Sequence, residues 1–410
     1  MKIITYGCSL NQADSETIKG VLAEEGLDCE DAVVVNTCTV KTPTENKILR
    51  KLRELEKTGK TVVVAGCIPA ARKAITDEFP RFSFIGTNTK DVAEAVKAAI
   101  SGKRYLNISE DGDKTTLPCV SENNVIGIIP ISAGCLGSCS YCQTKHARGN
   151  LKSYPQKNII SKIKRHLDDG AKEIWLTSQD NGAYGLDKGT NLARLLETVA
   201  DIPGDYMVRV GMMNPDHALN IVDELVQSFK HERIYKFAHL PVQSGDDQVL
   251  KDMNRGYDTK EFQQVVKEFE KIKATISTDV IVGYPTEDEC AFQNTIKLMN
   301  RIKPDILNMT RYWARPATPA TKLKQHHGRE TKRRSRMMDE VFQKIGAEKN
   351  KKWVGWRGKA LTSKINPDGT KTMRNSGYKP IIVKGGALGE WSDVEVKTAT
   401  YYDLRGKITQ

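Results

Sequence analysis

Val125-Ile126-Gly127-Ile128-Ile129-Pro130-Ile131-Ser132-Ala133-Gly134-Cys135-Leu136-Gly137-Ser138-Cys139-Ser140-Tyr141-Cys142 joins an apolar, Ile-rich strand to a loop carrying cysteines at the spacing C-x3-C-x2-C. Three thiolates on one short loop can ligate three irons of a cubane [4Fe–4S] cluster and leave the fourth iron open. Zinc is the competing metal, since His146 could supply the fourth ligand of a closed tetrahedral site. Gly134, Gly137 and Gly149 suggest a loop folded tightly around something bulky.

Upstream, short Val- and Ile-rich strands alternate with helical stretches. Expected strands are 3–6, 32–35, 61–65 and 82–85, and expected helices are 13–25, 43–57, 70–79 and 91–100. Such alternation implies βαβ units on a parallel sheet. Cys8, Cys38 and Cys67 each follow the C-terminal end of one of these strands. That edge is where open α/β sheets gather their ligands, so three thiols far apart in sequence can meet there. A single buried cysteine is an ordinary core residue; three in register point to a second cluster. Cys29, Cys119 and Cys290 read as core or surface thiols.

A polar segment around 110–116 suggests a linker. Beyond it, strands are expected at 125–131, 173–177, 207–211, 235–240, 277–282 and 306–313, with helices between them, one of them spanning 219–229. Six β/α repeats suit a partial barrel, with a doubly wound sheet as the alternative. From Trp353 onward short strands and turns predict a small all-β barrel. The 410 residues thus divide into 1–105, 120–345 and 350–410, an α/β fold ending in a β module.

Nine cysteines, an odd number, argue for metal or catalysis over a disulfide framework. No signal-peptide core and no apolar run near the ~20 residues of a membrane helix is present, so the reading is a cytoplasmic protein without a membrane partner. A net charge of +12 favours a polyanionic partner.

With Tyr141 just before its last cysteine, the 134–142 loop resembles the signature of radical S-adenosylmethionine (SAM) enzymes. The resemblance implies that Cys135, Cys139 and Cys142 are catalytic and hold the cluster that cleaves SAM to a 5′-deoxyadenosyl radical. Tyr6-Gly7-Cys8, Asn11, Asp14-Ser15-Glu16, Asn36-Thr37-Cys38 and Ala65-Gly66-Cys67 resemble the N-terminal domain of the methylthiotransferases. That family implies two [4Fe–4S] clusters, a central radical SAM barrel of (β/α)6 type and a C-terminal RNA-binding TRAM barrel. The stretches 173–185 and 209–215 look like its archaeal and eukaryotic branch, which acts on N6-threonylcarbamoyladenosine beside the tRNA anticodon. One departure lies in Ala314-Arg315-Pro316-Ala317, where the family usually has Pro and Gly in place of Ala314 and Ala317.

By resemblance, SAM contacts are expected from Tyr141, Ser178, Gln179, Asp180, Arg209, Gln243, Ser244 and Asp279. Taken singly, each could equally be a satisfied loop residue. The basic run 322–336 is either a solvated helix face or a phosphate track. Within the β module Trp356, Arg357, Arg374, Tyr378, Lys379, Trp391, Tyr401 and Tyr402 mix aromatic faces with cations, as RNA-loop binders do, while core packing is the competing role of the aromatics. Expected partners are the tRNA anticodon stem-loop and an electron donor such as a ferredoxin or flavodoxin. Competing functions are the same chemistry on another tRNA adenine or a ribosomal protein, and a non-catalytic iron–sulfur RNA sensor.

Overall fold

In the N-terminal sheet Val33, Val34 and Val35 and Val62, Val63 and Val64 are all buried. Strands apolar on both faces need cover on both, which a parallel sheet flanked by helices supplies. The computed structural model describes residues 1–110 and 112–409 and shows that arrangement. Asp111, in the expected linker, lies outside the described residues, as does Gln410.

Strands Lys2–Thr5, Ala32–Thr37, Thr61–Gly66, Ser83–Ile85 and Leu106–Asn107 pair in sequence order, all parallel. Val33, Val35, Val62 and Val64 face Ile48, Leu52 and Leu55 of helix Thr42–Glu56. Val34 and Val63 face helices Ser9–Glu24 and Val92–Ile100. The register aligns Thr5 with Asn36 and Asn36 with Ala65, so the first three strands end level.

Two expectations here need correction. The helix expected over 70–79 is two short ones, Cys67–Ala71 and Ile75–Glu78. Arg72 leaves helical geometry between them, and its guanidinium ties Glu45 to Glu78. In the segment expected as a linker, residues 113–116 are a packed strap. Lys114 is buried, with Nζ 2.7 Å from both Asp14 Oδ1 and the Thr87 carbonyl.

The central unit has six parallel strands in two ladders. Ile126–Pro130, Glu173–Thr177 and Met207–Val210 form one; Phe237–His239, Thr275–Val282 and Ile306–Arg311 form the other. A parallel bridge between Val208 and Ile234 joins them, so the strands run sequentially around a partial (β/α)6 barrel rather than a doubly wound sheet. The helix expected over 219–229 is divided into Pro215–Leu219 and Val222–Phe229. Helix Gly328–Lys351 then leads to a closed barrel of strands Arg357–Ile365, Lys371–Arg374, Pro380–Val383, Leu404–Ile408 and Trp391–Ala399. Of the segments 358–363, 366–369, 379–384 and 393–400 expected to build this module as short strands and turns, 366–369 is a turn, and Lys371–Arg374 and Leu404–Ile408 are strands beyond them.

The small barrel docks on the N-terminal ends of the central strands. Tyr378 packs on Tyr235 and Phe237 at ring-centroid distances of 4.7 and 5.1 Å, and Lys236 N donates to the Ser376 carbonyl. Lys379 and Lys349 both pair with Asp305 at 2.9 and 2.7 Å. The opposite, C-terminal rim therefore remains for the functional site. Among the described residues no helix is long and apolar enough to cross a membrane.

Candidate functional site

Because the first three strands end level, their following residues converge. Cys8 precedes helix Ser9–Glu24, Cys38 follows Thr37, and Cys67 opens its short helix. Gly66 makes the last turn possible: its φ is +94°, and a Cβ there would strike Asn36 and Thr37. Polar side chains lock the loops together. Asn11 Nδ2 donates to the Thr37 carbonyl at 2.9 Å, Asn36 Nδ2 to the Asn11 carbonyl at 2.8 Å, and Thr37 Oγ1 to the Ala65 carbonyl at 2.6 Å.

Cys38 and Cys67 are buried, whereas Cys8 is exposed. Burial pushes the Cys38 thiol up to about 11, with Cys67 and Cys8 adding to the rise. The Cys67 thiol is also pushed up by burial, against the Arg148 guanidinium, which hydrogen-bonds it. Arg148 spans the 2.7 Å ion pair to Asp14, whose other oxygen takes Lys114. Its Nε is buried with no hydrogen-bond partner among the described residues.

The second set lies on the loop after Ile126–Pro130. Gly134 has φ +68°, and a Cβ there would collide with the Asn150 carbonyl, which closes the loop on itself. Burial and then Asp180 raise the Cys135 thiol to about 11; burial and then Cys139 raise Cys142. Arg255 Nη1 donates to Cys139 Sγ at 3.2 Å, while its Nη2 holds Asn214 Oδ1 at 2.6 Å. Lys145 Nζ caps the Cys135 carbonyl. His146 is exposed, so it does not turn inward as a fourth ligand.

Both sets fit iron–sulfur clusters: six free thiols in two groups, each with a guanidinium donating to one of them, buried at Arg148 and half-buried at Arg255. Thiols raised this far bind metal by losing protons to it. Among the described residues no three His, Cys, Asp or Glu side chains are placed to hold a single metal ion. A cubane, several atoms across, needs thiols spread around a cavity instead.

The two centres are bolted together. Thr39, next after Cys38, donates from Oγ1 to Gln143 Oε1, next after Cys142, at 2.6 Å. Arg315 donates to the same Gln143 oxygen and to Thr39 Oγ1 at 2.6 and 2.8 Å, and pairs with Glu45. All four side chains are buried. Beside this junction a cavity of about 240 Å³ is lined by Tyr141, Cys142, Gln243 and Asp279, and by Lys41 and Arg311 at its mouth.

The expected SAM contacts divide accordingly. Tyr141, Gln243 and Asp279 line the cavity; Gln243 holds a left-handed φ of +70°. Burial raises the Asp279 carboxyl, but hydrogen bonds from His239 and Asn308 outweigh it and leave the group lowered. Ser178 Oγ and Gln179 Oε1 are buried with no hydrogen-bond partner among the described residues, just past strand Glu173–Thr177, as polar atoms awaiting a ligand would be. Asp180 faces Cys135 and is fixed by His217 Nδ1 at 2.6 Å and by the backbone N–H groups of Gly182 and Asn214. Ser244 is turned into its own loop, accepting from Asp246 N, and is not among the cavity residues. Arg209 is not brought to the rim: its guanidinium stacks on Trp175, Phe237 and Tyr378 at 5.1, 5.4 and 5.4 Å, toward the small barrel.

Residues 129–299 match the Radical SAM superfamily model, and residues 1–86 match the Uncharacterized protein family UPF0004. A Pyrococcus horikoshii protein called probable threonylcarbamoyladenosine tRNA methylthiotransferase is 42% identical over 99% of this chain and 98% of its own length. The chain belongs to the threonylcarbamoyladenosine tRNA methylthiotransferase family. A human member is 36% identical over 99% of this chain and 73% of its own length. Among solved structures, the radical SAM methyltransferase TsrM of Kitasatospora setae superposes with a TM-score of 0.54 at 13% identity, covering 73% of this chain and 66% of that one. The cobalamin-dependent enzyme OxsB gives 0.55 at 11%, covering 83% and 55%. These two likenesses are of fold alone. Membership in this radical SAM family implies a [4Fe–4S] cluster and SAM as cofactors.

Arg148, Arg255, Arg315 and His217 were not legible as site residues in the sequence. The only signal was placement: Arg148 lies six residues beyond Cys142 and Arg315 four beyond strand Ile306–Arg311, whereas His217 sits in helix Pro215–Leu219 and Arg255 between two helices.

Proposed function

We propose that the protein is a tRNA methylthiotransferase that converts N6-threonylcarbamoyladenosine beside the anticodon to its 2-methylthio derivative. The observation that carries this reading is the Thr39–Gln143 hydrogen bond, which sets the loops of two cysteine triads against each other. Full-length identity of 42% to a relative of that name supports the choice of substrate.

In this reading Cys135, Cys139 and Cys142 hold the SAM-cleaving cluster, and Cys8, Cys38 and Cys67 hold a second. With SAM bound, the first supplies a 5′-deoxyadenosyl radical able to take hydrogen from the inert C2–H of the adenine. Arg255 and Arg148 each neutralise thiolate charge at one centre. Asp180, clamped by His217, and the unpartnered Ser178 and Gln179 orient SAM. The buried Arg315–Gln143–Thr39 node excludes water between the centres, which a radical step requires.

Residues 1–105 would carry the second cluster, 120–345 the radical chemistry and 350–410 the RNA. On the last, Tyr402 is exposed and free to meet an anticodon stem-loop and Arg357 is exposed beside Glu395, whereas Tyr378 and Lys379 are buried in the docking face. Arg333 and Arg334 of the basic run are engaged by Glu289, Glu330 and Glu287, which leaves its other cations for phosphates. A ferredoxin or flavodoxin would supply electrons, and the cytoplasm is the compartment that holds both partners. Mass spectrometry of tRNA nucleosides from a deletion strain tests the assignment. The methylthiolated threonylcarbamoyladenosine should vanish; an unchanged level contradicts it.

A further inference from the structure

The cavity beside Cys142 is lined by two cations that no ion pair holds, although the Asp279 carboxylate in the same lining feels the charge of Lys41. Inside it Asp279 is held by His239 Nε2 at 3.0 Å and Asn308 Nδ2 at 2.8 Å, and Arg315 is committed to Glu45 and Gln143. Lys41 and Arg311 line the same cavity and have no ion-pair partner among the described residues. They come from different units: Lys41 lies three residues past Cys38, and Arg311 ends strand Ile306–Arg311. Arg311 lies over the Trp313 ring at 5.1 Å, and Trp313 also lines the cavity.

Two cations outside ion pairs, one of them against the indole of Trp313, suit a planar ring carrying an anionic arm. The ring stacks, as unstacked RNA bases do on aromatic side chains, and the arm meets the cations. Adenine bearing an N6-threonylcarbamoyl group is such a ligand, because the threonine ends in a carboxylate. Neither unmodified adenine nor one with a hydrocarbon substituent offers that charge. We propose that Lys41 and Arg311 form the subsite that takes the threonyl carboxylate of the target nucleotide, with Trp313 beside the base. The proposal rests on the substrate reading above and adds the residues that select it. Lys41 and Arg311 come from different units, so the subsite is complete only when both units are docked.

Fluorescence anisotropy with three synthetic anticodon stem-loops tests this on the full-length, cluster-loaded protein. One loop carries the threonylcarbamoyl acid, one the same arm as its carboxamide, and one unmodified adenine. The wild type is expected to bind the acid about tenfold or more tightly than the amide, the worth of one charge-assisted hydrogen bond. The Lys41→Gln/Arg311→Gln double variant should bind acid and amide alike, with its affinity for the unmodified loop and for SAM unchanged. A double variant that keeps the acid preference overturns the subsite, as does one that instead loses SAM affinity. Iron content and circular dichroism confirm that the variant is folded. Nucleoside mass spectrometry of the wild-type reaction on the acid loop reports separately on the function: product without acid preference sinks the subsite alone.

Discussion

Thr39 and Gln143, each the residue immediately after a cysteine of a different triad, share a 2.6 Å hydrogen bond inside the protein. Arg315 completes the node by donating to both. Because the three groups are buried, removing Gln143 leaves the Thr39 hydroxyl proton and the Arg315 Nε–H without their acceptor, at about 1–3 kcal/mol. Gln143→Leu is expected to lose that much stability by denaturant titration. It should also lower the methylthiolated product formed per 5′-deoxyadenosine released, because the two centres lose their register. An unchanged ratio would mean that the node is only structural.

Asp14 lies between two buried cations, Lys114 and Arg148, each at 2.7 Å. Breaking a buried pair by removing one partner costs roughly 3–5 kcal/mol, since the remaining charge stays desolvated. Asp14→Ala should therefore destabilise the N-terminal unit by that order and loosen the 114 strap. Limited proteolysis would show early cleavage near residue 114, while Asp14→Glu should be intermediate.

Ala317 holds a φ of +62°, in the left-handed region where a Cβ is penalised. Ala317→Gly should relieve that strain and stabilise by about 1 kcal/mol, seen as a higher melting temperature. A lower one would show that the entropy glycine gains in the unfolded chain outweighs the strain.

The apo protein should sort its thiols. Cys8 is exposed, whereas Cys38 is buried with its thiol pushed up to about 11. Only the thiolate alkylates, and near pH 8 about a thousandth of such a group is ionised. Iodoacetamide should therefore label Cys8 long before Cys38 and Cys67, as peptide mass spectrometry reads it. Equal rates would place the loops elsewhere. Raising the pH should speed Cys38, because its ionised fraction grows until the pH passes its raised value.

What the sequence makes legible and what it hides divide on physical lines. Val33–Val35 and Val62–Val64 mark buried parallel strands, and parallel strands in register bring Cys8, Cys38 and Cys67 to one edge, so both triads can be read from spacing alone. Arg209 cannot be read that way. It shares strand parity with Met207, which packs on Tyr378, so its side chain turns toward the docked small barrel and not the rim. Tyr378 and Lys379 look like RNA contacts until the docking face claims them. The Arg148, Arg255 and Arg315 contacts span 134, 116 and 172 residues to Asp14, Cys139 and Gln143, and no local pattern reports a reach of that length.

The central claim is that one chain holds two cysteine-ligated centres. Iron and acid-labile sulfide counted after anaerobic reconstitution test it most directly. The wild type should hold about eight irons, and Cys8→Ala and Cys135→Ala about four each, with the lost four differing between them. About four irons in the wild type, unaffected by Cys8→Ala, would contradict the account.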